Sequence, residues 1–396
     1  MKILVLSFYY YPDLCAGSFR CSSLVEQFRQ QVGLEVEVIT TLPNRYNSYS
    51  SEASEFEQAG NVVVHRIPLP SHNSGMVDQS KAFYSYQKQV KKLIAGKPYD
   101  MVFATSSRLF TALLGAFVAS RLKVPLYLDI RDIFVDTMKD VLSKPLSLVA
   151  KPVLGILENY TFSRAATINL VSEGFKDYFE ARYPDVCYRW YTNGIDEVFE
   201  REFHSNNGNT PKDTATKTLL YAGNIGEGQG LHTIVPQLAS KLGRDYVIKI
   251  IGDGGRKSEL QRALASLSLG NVQLLPPVDR SQLIEAYKNA DILFLHLNDY
   301  PAFDKVLPSK IFEYGAMGKP ILAGVNGYSA KFLQKEVENS AVFYPGNVEQ
   351  ALLAITSLEL QTQKRTGFIE KFRREKIMKV MAADIIDTVA KREAIC

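Results

Sequence analysis

The chain has 396 residues, of which 46% are hydrophobic and 22% charged, and its formal net charge is +4. This composition is typical of a folded globular protein and excludes the disordered and fibrous classes, and the charge is too small to indicate nucleic-acid binding. The length favours two domains of roughly 100 to 200 residues each. The cysteines have no CxxC spacing, which predicts reduced thiols and neither a disulfide framework nor a zinc site.

The first residues, MKILVLSF, contain one lysine and then about six apolar residues, which predicts a core strand and not a signal peptide. The longest uncharged apolar stretch, residues 109–120, is far shorter than the roughly 20 residues that cross a bilayer, so the chain is expected in the cytoplasm. Residues 139–164 interleave cations with leucine and valine, which suits a helix on an anionic membrane surface and also suits a packed surface helix. The cations are Lys139, Lys144, Lys151 and Arg164.

Short apolar segments alternate with longer amphipathic ones in the first half of the chain. The predicted strands are KILVLS, VEVIT, VVVHRI, DMVFAT, VPLYLD and ATINLV, and the predicted helices are 20–31, 77–95, 109–122 and 172–182. The strands are rich in valine, isoleucine and leucine without strict alternation, as expected for strands that are covered on both faces. This pattern predicts βαβ units around a parallel sheet.

The pattern stops at residues 200–218, a polar stretch rich in asparagine and threonine that contains glycine and proline, which predicts a linker. It then resumes with KTLLYAG, YVIKIIG, NVQLLP, DILFLHL and KPILAG. The predicted fold class is therefore α/β, with a first domain over 1–199, a linker over 200–216 and a second parallel-sheet domain over 217–371. A final helix over 372–396 is predicted to return to the first domain.

Glycine-rich turns follow two predicted strands of the second domain, in YAGNIGEGQGLHTI and IIGDGGRKSEL. Glycines let backbone N–H groups approach a ligand closely, and a helix that begins near Gln229 directs its positive end to the same place. The two turns predict a phosphate-binding crevice, and a tight βα turn is the alternative. The first strand instead leads into SFYYYPDLCAGS, which has neither GxGxxG nor GxxxxGK[ST], so dinucleotide binding and P-loop chemistry are not expected there.

Residues 305–320, KVLPSKIFEYGAMGKP, predict a short helix that begins near Pro308 and Ser309 and ends at Gly318. Its N-terminus lies after a buried strand, at the carboxyl edge of the predicted sheet. A diphosphate there would meet the helix dipole, N–H groups near Ser309 and the ammonium of Lys310. Glu313 is placed to accept hydrogen bonds from two ribose hydroxyls. A solvated lysine and a surface glutamate are the alternative interpretation.

Four segments together resemble family 4 glycosyltransferases of the GT-B fold, in the branch of bacterial polysaccharide and O-antigen enzymes similar to the WbuB type. They are YYYPDLCAGSFR, YTNGID at 191–196, GNIGEGQG with IGDGG, and PSKIFEYGAMGKP. The resemblance implies two Rossmann-like domains that face a central cleft, with a nucleotide sugar held by the second and the acceptor entering from the first. It also implies retention of the anomeric configuration, no dissociable metal and no cofactor, which agrees with the absence of a DxD triplet.

The resemblance implies roles for individual residues. Donor-binding residues are Gly223, Asn224, Gly226, Gln229, Gly252, Asp253, Asp304, Lys305, Ser309 and Glu313; acceptor-side residues are Gly17 and Ser18; catalytic residues are Asp132, Arg131 and Lys310. Asp253, Asn298 and Asp299 are cleft residues of lower rank. Asp132 is the first candidate for the general base, with the departing phosphate oxygen as the rival, and a purely structural pair of Arg131 with Asp132 is the alternative.

The chain departs from the family pattern at three positions. Lys305 occupies the place of the first glutamate of the EX7E pair, with Asp304 beside it, and Asn224 and Gln229 replace the arginine and lysine of the glycine loop. These departures leave the donor open, with UDP expected from the family. Lys310 and Lys305 remain as candidate cations for the diphosphate.

The implied partners are a UDP-sugar and a lipid-linked or saccharide acceptor in the biosynthesis of bacterial surface polysaccharide, at the cytoplasmic face of the inner membrane. Two other functions remain open. A sugar-nucleotide epimerase would use the same donor site, although none of the five histidines lies in a recognisable epimerase motif. A non-catalytic subunit that binds sugar nucleotides would keep the glycine loops and lack the transition-state cations.

Overall fold

The structure of the protein is a computed structural model that describes residues 1–44, 52–69, 76–106, 109–133, 144–205 and 216–393. The chain forms two compact units, Met1–Asn193 with Arg374–Cys396, and Gly194–Arg373. The first break between them lies six residues before the predicted boundary at 199, because Ile195 and Phe199 are buried in the core of the second unit. Of the predicted linker, residues 206–215 lie outside the described residues.

The first unit is built on a sheet with the strand order β3-β4-β2-β1-β5-β6-β7-β8. Neighbouring strands are parallel except for the antiparallel pair β3–β4. The strands are β1 (Lys2–Leu6), β2 (Glu35–Thr41), β3 (Phe56–Ala59), β4 (Val62–Ile67), β5 (Met101–Ser106), β6 (Leu126–Ile130), β7 (Thr167–Leu170) and β8 (Cys187–Arg189). The helices are α1 (Ala16–Arg29), α2 (Met76–Leu93), α3 (Leu109–Leu122), α4 (Lys144–Phe162) and α5 (Lys176–Glu180).

The second unit is built on a parallel sheet with the order β11-β10-β9-β12-β13-β14. Counted within the unit this is the 3-2-1-4-5-6 order of doubly wound nucleotide-binding folds. The strands are β9 (Lys217–Ala222), β10 (Tyr246–Ile251), β11 (Val272–Leu275), β12 (Ile292–His296), β13 (Ile321–Gly324) and β14 (Ser340–Phe343). The helices are α6 (Glu197–Ser205), α7 (Leu231–Leu242), α8 (Lys257–Ser266), α9 (Arg280–Asn289), α10 (Lys310–Met317), α11 (Gly327–Glu336), α12 (Val348–Thr356) and α13 (Thr366–Phe372).

The last helix, α14 (Arg374–Glu393), belongs to the first unit. Its apolar face, including Met378, Met381 and Ile385, is buried in the same cluster as the apolar face of α1. Asp384 on the same helix accepts hydrogen bonds from the Tyr127 hydroxyl (3.1 Å) and the Arg189 guanidinium (2.8 Å). Both apolar burial and polar contacts therefore attach the C-terminal helix to the first unit.

Apolar runs produce strands whose side chains are almost wholly buried, such as LYLDI in β6 and ILFLH in β12. This burial fits parallel sheets that are covered on both faces by helices. Among the described residues, no helix has the length and apolar character needed to cross a membrane.

Candidate active site

The pairing of β9 with β12 ends before these strands do, at the carboxyl edge of the second sheet, and the space beyond their ends is called the crevice here. In the described part of the sheet these strands pair only through residues 219–220 and 292–293. Beyond that point the Tyr314 hydroxyl bridges them, accepting a hydrogen bond from the Ala222 N–H (3.3 Å) and donating one to the Phe294 carbonyl (3.2 Å). This is the point at which the strand order reverses, where doubly wound sheets bind ligands.

Helix α10 carries Lys310 to this crevice. Lys310 precedes the buried Tyr314 by four residues, so both side chains lie on one helical face. The Lys310 ammonium lies 5.3 Å from the centroid of the Tyr221 ring, and a Cβ on Gly223 would overlap that ammonium. An anion in this crevice would therefore meet both the ammonium and the positive end of the helix dipole.

The two glycine loops pack backbone against backbone. Gly252 has a φ of +153°, and a Cβ there would overlap the carbonyl oxygen of Gly223, so only glycine fits. The Gly223 N–H donates to the Ile251 carbonyl and the Ile225 N–H to the Asp253 carbonyl, both at 2.8 Å. These two N–H groups, which the glycine pattern led us to expect at a phosphate, are engaged inside the protein.

Asn224 and Gln229 are bonded to each other within the first glycine loop. The Asn224 side-chain amide donates to Gln229 Oε1 (2.8 Å), which also accepts from the Gly226 N–H (3.3 Å). A Cβ on Gly226 would overlap the Asn224 amide. The two side chains that replace the family's arginine and lysine thus hold the loop in shape and supply no positive charge.

Glu227 is a centre of contacts in the same loop that the sequence interpretation missed. Its carboxylate accepts hydrogen bonds from the Tyr300 hydroxyl (2.5 Å) and the Arg256 guanidinium (2.6 Å), and the Asn298 amide donates to its backbone carbonyl (3.1 Å). Burial raises the pKa of Glu227, but the Tyr300 and Arg256 contacts outweigh burial and leave the pKa below its ordinary value. The positive charge of Arg256 is therefore balanced by the Glu227 carboxylate. The Asn298 side chain holds the loop in place.

His296, the last residue of β12, is completely buried and bonded at both ring nitrogens. Its Nε2 accepts a hydrogen bond from the Gly346 N–H (3.0 Å), so the proton lies on Nδ1, which donates to the Gln229 carbonyl (2.7 Å). Burial lowers the pKa of His296 to about 4, so the ring is neutral near pH 7. Both nitrogens serve backbone groups, which makes His296 a brace for the glycine loop and no proton shuttle.

Glu313 lies one helical turn after Ser309, which immediately precedes α10. The Tyr287 hydroxyl donates to Glu313 Oε2 (3.1 Å), and burial together with this carboxylate raises the pKa of Tyr287 well above its ordinary value. The contact fixes one carboxylate oxygen of Glu313. Ser309 has helical dihedral angles, and among the described contacts its hydroxyl makes no capping hydrogen bond to the helix.

Arg365 closes the other end of α10 and was also missed from sequence. It is 4% exposed, and its guanidinium donates to the carbonyls of Gly315 (3.1 Å), Lys319 (3.0 Å) and Glu338 (2.6 Å). Burial lowers the pKa of Arg365 to about 10. A cation at the C-terminus of a helix is stabilised by the helix dipole, and here it fixes the helix that carries Lys310.

Asp304 and Lys305, the candidates around the missing glutamate, lie in a 3₁₀ turn at Phe303–Lys305. Burial, followed by the Asp299 carboxylate, raises the pKa of Asp304, while the Asn326 side chain and Lys305 oppose the rise. Asp299 in turn accepts a hydrogen bond from the Tyr344 hydroxyl (2.9 Å). The structure thus places a half-buried carboxyl of raised pKa next to the position where the family has its first glutamate.

The remaining predicted residues lie in the first unit, at the carboxyl edge of its sheet. A Cβ on Gly17 would overlap the Arg131 guanidinium, so these two residues are in close contact. Ser18 Oγ and Arg131 Nε are buried and have no hydrogen-bond partner among the described residues. The Arg131 N–H donates to Ser106 Oγ (3.3 Å), and Asp132 beside it is exposed.

A buried ionic network lies beneath these residues. Arg20, at the end of YYYPDLCAGSFR, donates from Nε and Nη2 to Asp129 at 2.8 and 2.9 Å, and it also donates to the carbonyls of Tyr191 (2.7 Å) and Thr192 (2.6 Å). The Asn169 amide donates to Asp129 Oδ1 (2.8 Å). Arg20 and Asp129 are each 2% exposed. The first motif and the YTNGID motif are therefore joined by this network, a contact that sequence spacing does not reveal.

Among the described residues no cluster of three or more histidine, cysteine, aspartate or glutamate side chains is arranged to hold a metal ion. The structure gathers the residues of the second unit that were assigned to the donor around the loops after β9, β10 and β12 and around α10. It places Gly17, Ser18, Arg131 and Asp132 in the first unit, and Lys310 in the second.

Two protein families match this chain. The family described as "Glycosyl transferases group 1" matches residues 202–375, and "Glycosyl transferase 4-like domain" matches residues 18–186. A curated relative named "Putative colanic acid biosynthesis glycosyl transferase WcaI", from Escherichia coli strain K12, is 31% identical over 113 residues. That match spans 28% of this chain and 28% of the relative's own length.

Solved structures share the fold at low sequence identity. The sucrose-phosphate synthase of Thermosynechococcus elongatus is 14% identical, with a TM-score of 0.73 and full coverage of both chains. The structure titled "Trehalose-6-phosphate from E. coli bound with UDP-2-fluoro glucose" is 10% identical, with a TM-score of 0.69 and coverage of 98% and 99%. Anabaena Alr3699/HepE in complex with UDP is 15% identical, with a TM-score of 0.65 and coverage of 99% and 100%.

The two family matches fall on the two halves of the chain, and each half contains the parallel sheet that the resemblance implies. The solved structures of similar fold are GT-B glycosyltransferases. The chain belongs to the family 4 glycosyltransferases of the GT-B fold.

Proposed function

We propose that this glycosyltransferase transfers a sugar from a UDP-sugar, with retention and without a metal or other cofactor, to a lipid-linked or saccharide acceptor of bacterial surface polysaccharide. The observation that carries the proposal is the Lys310 ammonium, which lies against Gly223 where β9 and β12 separate. UDP as the donor is supported by the titles of two solved structures of similar fold, which name UDP or a UDP-sugar. The polysaccharide role is supported by the name of the E. coli relative.

The chemistry follows from where charge develops. The bond between the anomeric carbon and the phosphate oxygen breaks, and its electron pair leaves with the nucleoside diphosphate. The acceptor oxygen bonds to the same face of the anomeric carbon, and its proton passes to Asp132 or to the departing phosphate oxygen. Lys310 and the positive end of α10 stabilise the negative charge on the leaving group, and one preorganised donor of this kind is worth about 3 kcal/mol.

The remaining donor contacts belong to the nucleoside and the sugar. Glu313 accepts hydrogen bonds from the two ribose hydroxyls, because its Oε2 is fixed by Tyr287 and its carboxylate projects from the first turn of α10. Asp304, with its raised pKa, takes the position of the missing glutamate and contacts a hydroxyl of the transferred sugar. In the first unit, Gly17 and Ser18 serve the acceptor side, and Arg131 and Asp132 are the catalytic candidates.

The deciding experiment incubates the protein with a panel of UDP- and GDP-sugars, with and without EDTA and with and without a bacterial lipid extract. We expect UDP release that requires acceptor, and a product of unchanged anomeric configuration by NMR. An epimerised donor formed without acceptor would refute transfer. Release of GDP alone would overturn the choice of base, and release that EDTA abolishes would overturn metal independence.

We also propose that α4 lies on the anionic cytoplasmic surface of the inner membrane. Val153 and Ile156, on one face of this helix, are 56% and 69% exposed. The opposite face is anchored by the buried Glu158, which accepts hydrogen bonds from the Tyr178 (2.7 Å) and Tyr183 (3.1 Å) hydroxyls. Of the predicted cations, Lys139 lies outside the described residues, and the side chains of Lys144 and Lys151 are not described.

A further inference from the structure

Lys257 lies beside the glycine loop that follows β10 and had no role in the sequence interpretation. It is the first residue of α8 and follows the second glycine loop directly. Its ammonium lies 3.4 Å from the Gly252 carbonyl oxygen and 3.8 Å from Asp253 Oδ1, and the side chain is 26% exposed. Gly252 packs on the Gly223 carbonyl, and Gly223 contacts the Lys310 ammonium. The Lys257 and Lys310 ammonium groups therefore each contact one glycine of the packed pair Gly252 and Gly223.

The backbone N–H groups of these two glycines and the side chains of Asn224 and Gln229 cannot supply positive charge to a bound phosphate. The Gly223 and Gly252 N–H groups donate to the carbonyls of Ile251 (2.8 Å) and Leu275 (3.0 Å). Asn224 and Gln229, where the family has cations, are neutral and bonded to each other. An anion at the glycine pair would therefore depend on side-chain cations and not on these amides.

The other basic side chain of the second loop is already paired. Arg256 donates from Nε to Glu227 (2.6 Å) and from Nη1 to Glu259 (2.5 Å). Among the described residues, the Lys257 ammonium has only the longer contacts with Gly252 and Asp253, and an ammonium has three donors, so it keeps donors for a ligand. A nucleoside diphosphate carries at least two negative charges, more than one lysine neutralises.

We propose that Lys257 is a second cation for the donor diphosphate and supplies, from the neighbouring loop, the charge that Asn224 and Gln229 do not bring. The inference rests on the proposed function, because it takes a nucleoside diphosphate as the ligand of the same crevice. Lys257 binds the phosphates in the ground state and through the transition state, since its flexible stem follows the leaving group.

The test measures equilibrium binding of uridine, UDP and inorganic pyrophosphate to wild type and to Lys257→Met, Lys257→Gln, Lys257→Arg and Lys335→Met. Lys335→Met is the matched control, because Lys335 is a lysine of the same unit whose side chain is 80% exposed. We expect Lys257→Met and Lys257→Gln to weaken UDP and pyrophosphate binding roughly 10- to 100-fold, as the loss of a charged hydrogen bond does. Uridine binding should be unchanged, and Lys257→Arg should restore most of the affinity.

Each contrary outcome has a distinct meaning. Unchanged UDP affinity in Lys257→Gln, which keeps a donor for Gly252 and loses the charge, would overturn the role of Lys257 and leave the transferase proposal intact. An equal loss of uridine and UDP binding, accompanied by a lower melting temperature, would show a structural role only. Wild-type protein that binds neither UDP nor pyrophosphate would instead overturn the proposed UDP donor. If Lys257→Met fails to fold, the glutamine and arginine variants decide the question.

Discussion

The cations in the sequence motif of the first unit and beside the glycine loops of the second unit have different roles. In the first unit, Arg20 and Asp129 are enclosed, and the guanidinium is bonded to a carboxylate and to two backbone carbonyls. In the second unit, Lys310 and Lys257 lie beside glycines at the edge of the sheet. A cation that is paired inside the fold fixes the path of the chain, whereas we propose that the two lysines beside the glycine loops bind the donor diphosphate. A charged residue within a sequence motif therefore need not be a site residue.

The largest expected effect is on stability, from Arg20→Met. This change leaves Asp129 buried without its cation, which costs about 3 to 5 kcal/mol in the free energy of unfolding. Trp190 is the only tryptophan of the sequence and lies in the first unit, beside Tyr191, whose carbonyl accepts from Arg20, so its fluorescence reports the loss. Lys335→Met serves as the neutral control. If Arg20→Met had the same unfolding midpoint in urea as wild type, the buried pair of Arg20 with Asp129 would not stabilise the first unit.

The second effect is on turnover, from Lys310→Ala. Removal of the ammonium should lower kcat by about 100- to 1000-fold, because the charge on the leaving diphosphate loses a preorganised donor. The unfolding midpoint should change little, since the ammonium lies at the crevice and not in the core. Steady-state kinetics with saturating donor measure kcat, with Lys335→Ala as the control. A variant with wild-type kcat would remove Lys310 from the mechanism.

The third effect is on the pH dependence of stability, through the buried His296. His296 has a pKa of about 4 in the folded protein, against about 6.5 when unfolded, so the unfolded chain takes up a proton first as pH falls. The contribution of His296 to the free energy of unfolding is fully present above pH 6.5 and is lost progressively toward pH 4. The loss amounts to roughly 2 kcal/mol between pH 7 and pH 5. His296→Gln should show a flatter dependence of melting temperature on pH than wild type. Parallel curves for the two proteins would contradict a buried neutral imidazole.

Local signals in the sequence were enough to predict most strands of the second unit and its helix α10. Pro308 and Gly318 bracket α10 within two residues, and Gly318 has the positive φ of +70° that ends a helix. The apolar runs gave the buried strands, but the short strands β3, β8 and β14 were missed. β3 is an edge strand whose residues are mostly exposed, so it has no apolar run to reveal it.

Contacts between residues far apart along the chain could not be predicted from the sequence. Tyr314 bridges two strands from a helix, and Arg365 caps that helix from 46 to 51 residues away along the chain. The glycines indicated a close approach, but whether a ligand or a second loop makes that approach depends on the tertiary structure. Here the loop with Gly252 packs on the loop with Gly223, and the amides are used internally.

The fourth effect separates the nucleoside end of the crevice from the phosphate end. Glu313→Ala should weaken the binding of uridine and of UDP alike, by roughly tenfold, because both ligands carry the ribose hydroxyls that the carboxylate accepts from. Glu349→Ala is the matched control, since Glu349 is a glutamate of the same unit whose side chain is 74% exposed. Calorimetric titration measures both affinities. A loss confined to UDP would place Glu313 near the phosphates instead.

The smallest expected effect concerns the exposed face of α4 in the first unit. Paired substitution of Val153 and Ile156 by glutamate removes apolar contact and adds repulsion from anionic lipid, and it should weaken binding to phosphatidylglycerol vesicles by about tenfold. Activity on a soluble acceptor should not change, because these side chains point away from the buried side of the helix at Glu158. Leu353→Glu, at a residue of the second unit that is 71% exposed, is the control. If Leu353→Glu loses vesicle binding equally, membrane contact is not a property of the first unit. The difference between the two units then lies only in the roles of their cations.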